Sequence, residues 1–126
     1  MTVLYLDADG CRVNDEVYRV AARYKLDVFV VSSNWLRTPQ ELRIIPVVVE
    51  GGPSAADRWI ADRAKGDDVV ITADIPLAER VLRRGVRAVH PDGRLFAVDN
   101  GGGAQAPRGF LQALEETVVK AQRASK

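Results

Sequence analysis

The chain has 126 residues, 47% of them hydrophobic, and 18 basic residues stand against 17 acidic ones. That length fits one domain, 1–126, burying about two-thirds of the surface its unfolded chain exposes, so no disulfide or structural metal is needed to hold it. The single cysteine excludes an internal disulfide, and the formal charge of +1 gives no global pull towards nucleic acid or membrane. No apolar run approaches the roughly 20 residues of a membrane span, and no apolar leader follows basic residues at the start, so a cytoplasmic protein without membrane attachment is expected. Of the basic residues 14 are Arg, a bias that suits bidentate phosphate recognition and that a GC-rich genome also produces without any function. Any polyanion would have to be held locally.

The first stretch, Val3-Leu4-Tyr5-Leu6 followed by Asp7-Ala8-Asp9-Gly10-Cys11, is an apolar run ending in two carboxylates. It predicts a buried central strand with Asp7 and Asp9 at its tip, although Asp9 could simply cap the next helix. Val13, Val17, Val20, Ala21 and Tyr24 then recur at helical spacing. Val28-Phe29-Val30-Val31 predicts a second strand ending in Ser32-Ser33-Asn34. Trp35 to Ile45 has no sustained period and reads as a loop or short helix before a strand Val47-Val48-Val49. Gly51-Gly52-Pro53 predicts a turn, and Ser54-Ala55-Ala56-Asp57 has the pattern of a capping box opening a helix to about Lys65. Val69-Val70-Ile71-Thr72 predicts a fourth strand ending in Ala73-Asp74. Asp74 is placed to cap a third helix that runs towards Gly85, with Pro76 tolerated in its first turn. Val86 to Val89 predicts a fifth strand, His90-Pro91-Asp92-Gly93 a turn with the lone histidine facing solvent, and Leu95 to Val98 a short edge strand. Residues 99–107 are Gly-rich, and a last helix spans about Arg108 to Gln122.

Strands alternating with helices imply a three-layer α/β/α sandwich with a mostly parallel sheet. In such sheets ligands bind at the carboxyl ends of the strands, where strand order reverses. If the first and fourth strands are neighbours there, Asp7 and Asp9 meet Thr72 and Asp74, with Asp57 approaching from the side. Carboxylates brought this close repel unless a cation offsets them, and an oxygen-only set suits Mg²⁺ or Mn²⁺ with waters retained. Asp57 and Asp74 as ordinary capping residues is the plainer alternative. Cys11 reads as a small packing residue. Trp35 has the chemistry to stack on a base and Arg37 to contact phosphate.

Asp7-Ala8-Asp9-Gly10-Cys11 resembles the D-A-D-x-C-P opening of the bacterial YaiI/YqxD family, and residues 67–78, from Asp67 to Ala78, resemble its G-D-x-V-I-T-x-D-I-P-L-A block. Ala55-Ala56-Asp57 with Ile60 is similar to the family's A-D-x-x-I, and Asn34-Trp35-Leu36-Arg37 to the loop after its second strand. The resemblance covers residues 1 to about 95. It implies a PIN-like fold, whose superfamily contains metal-dependent ribonucleases, with Asp7, Asp9, Asp57 and Asp74 carrying the metal and Thr72, Ser32 and Asn34 in support. Trp35, Arg37 and Arg108 would then contact the substrate, RNA or a nucleotide. Arg12 stands where the family has proline, and its R-D-F-M-like element is reduced to Arg108-Gly109-Phe110-Leu111.

The leading expectation is therefore a divalent-metal-dependent nuclease in which Asp7, Asp57 and Asp74 are catalytic. One alternative is a phosphatase of the haloacid dehalogenase type, with Asp7 as nucleophile and Asp9 as acid. Only about two residues separate Asp9 from the first helix, too few for that superfamily's usual flap. The other alternative is a non-catalytic nucleotide- or RNA-binding module. Oligomeric state does not follow from the chain.

Overall fold

The computed structural model describes residues 2–9, 13–96 and 109–124. Five strands, β1 (Val3–Asp7), β2 (Asp27–Ser32), β3 (Ile44–Val48), β4 (Val69–Ile71) and β5 (Arg87–Val89), form one sheet of order β3-β2-β1-β4-β5. All four pairings are parallel. Four helices, α1 (Asn14–Tyr24), α2 (Pro53–Arg63), α3 (Ile75–Leu82) and α4 (Phe110–Ala124), complete a three-layer α/β architecture. The chain starts at the centre of the sheet, builds outward to β3, then crosses back to place β4 on the other side of β1. The order thus reverses between β1 and β4, where a crevice opens at the strand tips.

The period of two along β1 divides the core. Leu4 and Leu6 pack with Val17, Val20, Leu114 and Val118 on the α1/α4 side. Tyr5 packs with Ala56, Ile60, Leu77 and Val81 on the α2/α3 side. Asp7 shares the parity of Tyr5, so β1 aims it towards the helices that begin beside it, α2 and α3.

Several boundaries differ from the sequence expectation for physical reasons. The third strand begins at Ile44 rather than Val47, with Pro46 inside it. The bonds Val28 N to Arg43 O and Val49 N to Ser32 O put the odd-numbered residues' polar groups on β2. Pro46 therefore lies on the open side of an edge strand, where its missing N–H leaves no gap and discourages a further strand. Residues 35–41 form neither helix nor strand. The Ser54 capping box does not form: α2 starts at Pro53 with Gly52 as N-cap and no side-chain cap bond. Gly51 (φ 108°) and Gly52 (φ 80°) make that turn, and a Cβ on Gly51 would stand 3.3 Å from Ala55 Cβ. Of the edge strand expected over residues 95–98 only Leu95 and Phe96 are among the described residues, and Leu95 makes one isolated antiparallel bridge to Val89. Residues 97–108 lie outside the described residues, as do Gly10, Cys11 and Arg12. Among the described residues no helix is long and apolar enough to cross a membrane.

Candidate functional site

β2 ends on the hydroxyl of Ser32 and β4 is followed directly by that of Thr72, and each hydroxyl does the same two things. Thr72 Oγ1 donates to Asp7 Oδ2 at 2.7 Å and accepts from the Asp74 N–H at 2.9 Å. Ser32 Oγ donates to Asp9 Oδ1 at 3.0 Å and accepts from the Asn34 N–H at 3.1 Å. A Ser or Thr that accepts from the N–H two residues on closes a local turn. Here each turn also orients a carboxylate on the central strand's tip. Asp9 Oδ1 receives a second bond, from the Ser33 N–H at 2.9 Å, a backbone contact that no side-chain pattern announces. Asp9 is committed to these groups and does not cap α1, whose N-cap is Val13 without a side-chain bond.

Asp74 caps α3 as expected, accepting from the Leu77 N–H at 2.9 Å through Oδ1. Asp57 is carried to the same place by the second turn of α2. Because it lies inside the helix rather than closing a capping box, its carboxyl is available to pair with that of Asp74. The electrostatics follow from this crowding. Partial burial, the bond to Asp74 and the charges of Asp74, Asp7 and Asp9 push the Asp57 carboxyl up to about 7. Asp7 is only 5% exposed. Burial raises its pKa, opposed by the Thr72 hydroxyl and the Asp9 N–H and reinforced by the charges of Asp9 and Asp74.

Asp7, Asp9, Asp57, Asp74, Thr72 and Ser32 are thus one coupled group. Asn34 contributes its main-chain N–H. Trp35 and Arg37 are not brought into this group: they line a groove of about 640 Å³ with Leu36, Leu42, Ile44 and Pro46 that includes none of the four carboxylates, and Trp35 is 75% exposed. Arg108 lies outside the described residues. His90 departs from its expected solvent-facing position: its side chain is 18% exposed, Nδ1 accepts from the Asp92 N–H at 3.0 Å, and the ring lies 5.9 Å from that of Phe96. It stabilises its own turn. Among the described residues, no three His, Cys, Asp or Glu side chains converge closely enough to enclose a metal ion as placed. The carboxylates are held instead through hydroxyl bridges and one direct carboxyl pair.

The model of the bacterial YaiI/YqxD family, described as uncharacterised, matches residues 5–126. The chain belongs to the YaiI/YqxD family. It is 50% identical to a UPF0178 protein of Caulobacter sp. (strain K31), over 98% of each chain. A UPF0178 protein of Caulobacter vibrioides is 44% identical, over 99% of this chain and 98% of its own, and one of Rhodospirillum centenum 47% identical, over 92% and 75%. The first match runs over 148 aligned positions against 126 residues here, so that YaiI/YqxD relative carries an insertion that this chain lacks. No solved structure matches the chain.

Proposed function

We propose that the crevice between β1 and β4 is a divalent-cation site that hydrolyses phosphodiesters, with RNA as the substrate class and a PIN-like nuclease as the nearest functional analogy. The observation that carries the reading is the Thr72 hydroxyl, which ties Asp7 to Asp74 while Asp74 pairs with Asp57. This crowds acidic groups, two of them sharing a proton, at the place where parallel α/β sheets bind ligands.

The donor set fits a hydrated Mg²⁺ or Mn²⁺ held by Asp7, Asp9, Asp57 and Asp74, since Mg²⁺ keeps several waters and needs few direct protein ligands. Asp7, Asp9 and Asp74 each accept from a protein donor through one named oxygen, which restrains the carboxylates at the strand tips. Bound there, the ion would offset the carboxylate repulsion and supply Lewis-acid stabilisation of the phosphoryl oxygens. Thr72 and Ser32 hold the rotamers of Asp7 and Asp9. Trp35 offers an open aromatic face for an unpaired base, and Arg37 a phosphate contact. His90, the chain's one histidine, is engaged in its turn, so a route through a pair of histidines and a cyclic phosphate has no residues to carry it.

The test is single-stranded RNA incubated with Mn²⁺ and analysed by mass spectrometry. Products ending in a 5′-phosphate, slowed by at least about 10²-fold in Asp74→Asn, support the reading. Cleavage that survives both EDTA and Asp74→Asn refutes it. Nucleotide binding without cleavage assigns the crevice to a non-catalytic module.

A further inference from the structure

The two helices that begin at the acidic crevice end in cations. α3 and the turn after it carry Arg80-x-x-Arg83-Arg84, and α2 ends in Arg63 followed by Lys65. Arg63, Lys65, Arg80, Arg83 and Arg84 are all exposed. What holds them matters more than their number. Arg84 Nη1 crosses from the end of α3 to donate to the Ala61 carbonyl of α2. Arg63 Nη1 donates to the Trp59 carbonyl at 3.2 Å, and its Cζ stands 4.1 Å over the Trp59 ring. Two guanidinium groups from different helices thus converge on the last carbonyls of α2, positioned by a main chain and an aromatic face. Neither partner carries a formal charge, so the positive charge is oriented without being neutralised. Arg83 has a carboxylate partner, Glu79, but at 4.0 Å and with side chains 76% and 50% exposed, a weak, screened pair. One cation per helix C-terminus answers the helix dipole; this cluster exceeds that and bridges both helices.

At 1.5 Å per residue, Arg63 lies about 9 Å along α2 from Asp57, and Arg83 about 14 Å along α3 from Asp74. That is the span of about three or four stacked nucleotides. We propose that the C-terminal ends of α2 and α3 form a phosphate-binding surface that takes the backbone of single-stranded RNA whose other end lies in the acidic crevice. The choice of RNA rests on the crevice reading above; the polyanion surface itself does not.

The experiment is fluorescence anisotropy of a fluorescein-labelled oligouridylate of about twelve nucleotides, in EDTA so that nothing is cut, from about 50 to about 200 mM salt. Arg80→Gln/Arg83→Gln is expected to weaken binding at least about tenfold at the low-salt end. It should also flatten the slope of log affinity against log salt by about 1.4, or about 0.7 per lost phosphate contact. An unchanged melting temperature shows that the variant is folded. Equal affinity and slope in wild type and variant, or no binding by wild type at low salt, overturns the surface. Displacement by polyglutamate as effective as by unlabelled oligouridylate overturns the choice of RNA in favour of an acidic protein segment. Failure of Mn²⁺-dependent cleavage with this binding intact condemns only the crevice reading; cleavage with no effect of the double variant on binding condemns only the surface.

Discussion

Asp57→Asn is a direct probe of the crowding in the crevice. In the folded chain without metal the Asp57 carboxyl titrates near 7, against 3.8 when unperturbed. Between those values the folded state holds more protons than the unfolded one, so stability falls as pH rises and levels off once the group has ionised in both states. A shift of this size would correspond to about 4 kcal/mol at 1.36 kcal/mol per pH unit. The group is only partly buried, and solvent screening reduces the figure to about 1–2 kcal/mol. Asparagine keeps a donor for Asp74 and cannot ionise, so it imitates the protonated acid at every pH. In EDTA the wild type should therefore lose about 1–2 kcal/mol more than Asp57→Asn between about pH 4 and pH 8. The variant should melt roughly 3–8 °C higher at the alkaline end and equal to wild type at the acidic end. The difference between the two curves isolates Asp57 from Asp7, which burial also raises. Urea or thermal unfolding across this range measures it. Parallel curves would show that Asp57 does not share a site with the other carboxylates.

The hydroxyl bridges make a second test. Thr72 is fully buried, and Thr72→Val keeps its shape while removing both the donor to Asp7 and the acceptor for the Asp74 N–H. Urea denaturation should show a loss of about 1–3 kcal/mol, and less than about 0.5 kcal/mol would mean that the bridge does not organise the site. Ser54→Ala, by contrast, should cost under about 0.5 kcal/mol, because Ser54 is not the cap of α2; a loss of about 1 kcal/mol or more would restore the capping box.

The adjacency of β1 and β4 was legible because two apolar runs each end in a hydroxyl or carboxylate, a pattern that packing alone would not maintain at a strand tip. The Asp74 cap was legible for a local reason: a short acceptor followed by Ile75-Pro76 starts a helix with few competing options. Ser54 misled because a capping box is recognised by residue types, whereas the Gly51-Gly52 turn, with both φ positive, starts the helix one residue before Ser54. That single displacement turns Asp57 from a capping residue into the partner of Asp74, and no local pattern reports it. The start of β3 at Ile44 is not legible in the chain, because Trp35 to Ile45 has no sustained period and Pro46 fits a strand only on an open edge, which is a property of the assembled sheet. The roles of Ser32 and Thr72 had a signal in the matching Ser32-x-Asn34 and Thr72-x-Asp74 spacings; that they reach Asp9 and Asp7 depends on register.

The central claim is that Asp7, Asp57 and Asp74 form one cation site in which an ion replaces the proton held on Asp57. Calorimetric titration of Mn²⁺ at about pH 6.5, repeated in two buffers of different ionisation enthalpy, counts the protons released per ion bound. Wild type should release most of one proton, Asp57→Asn should bind while releasing almost none, and Asp7→Asn should bind far more weakly. Binding that is the same in wild type and Asp7→Asn, or binding by wild type without proton release, would contradict the account.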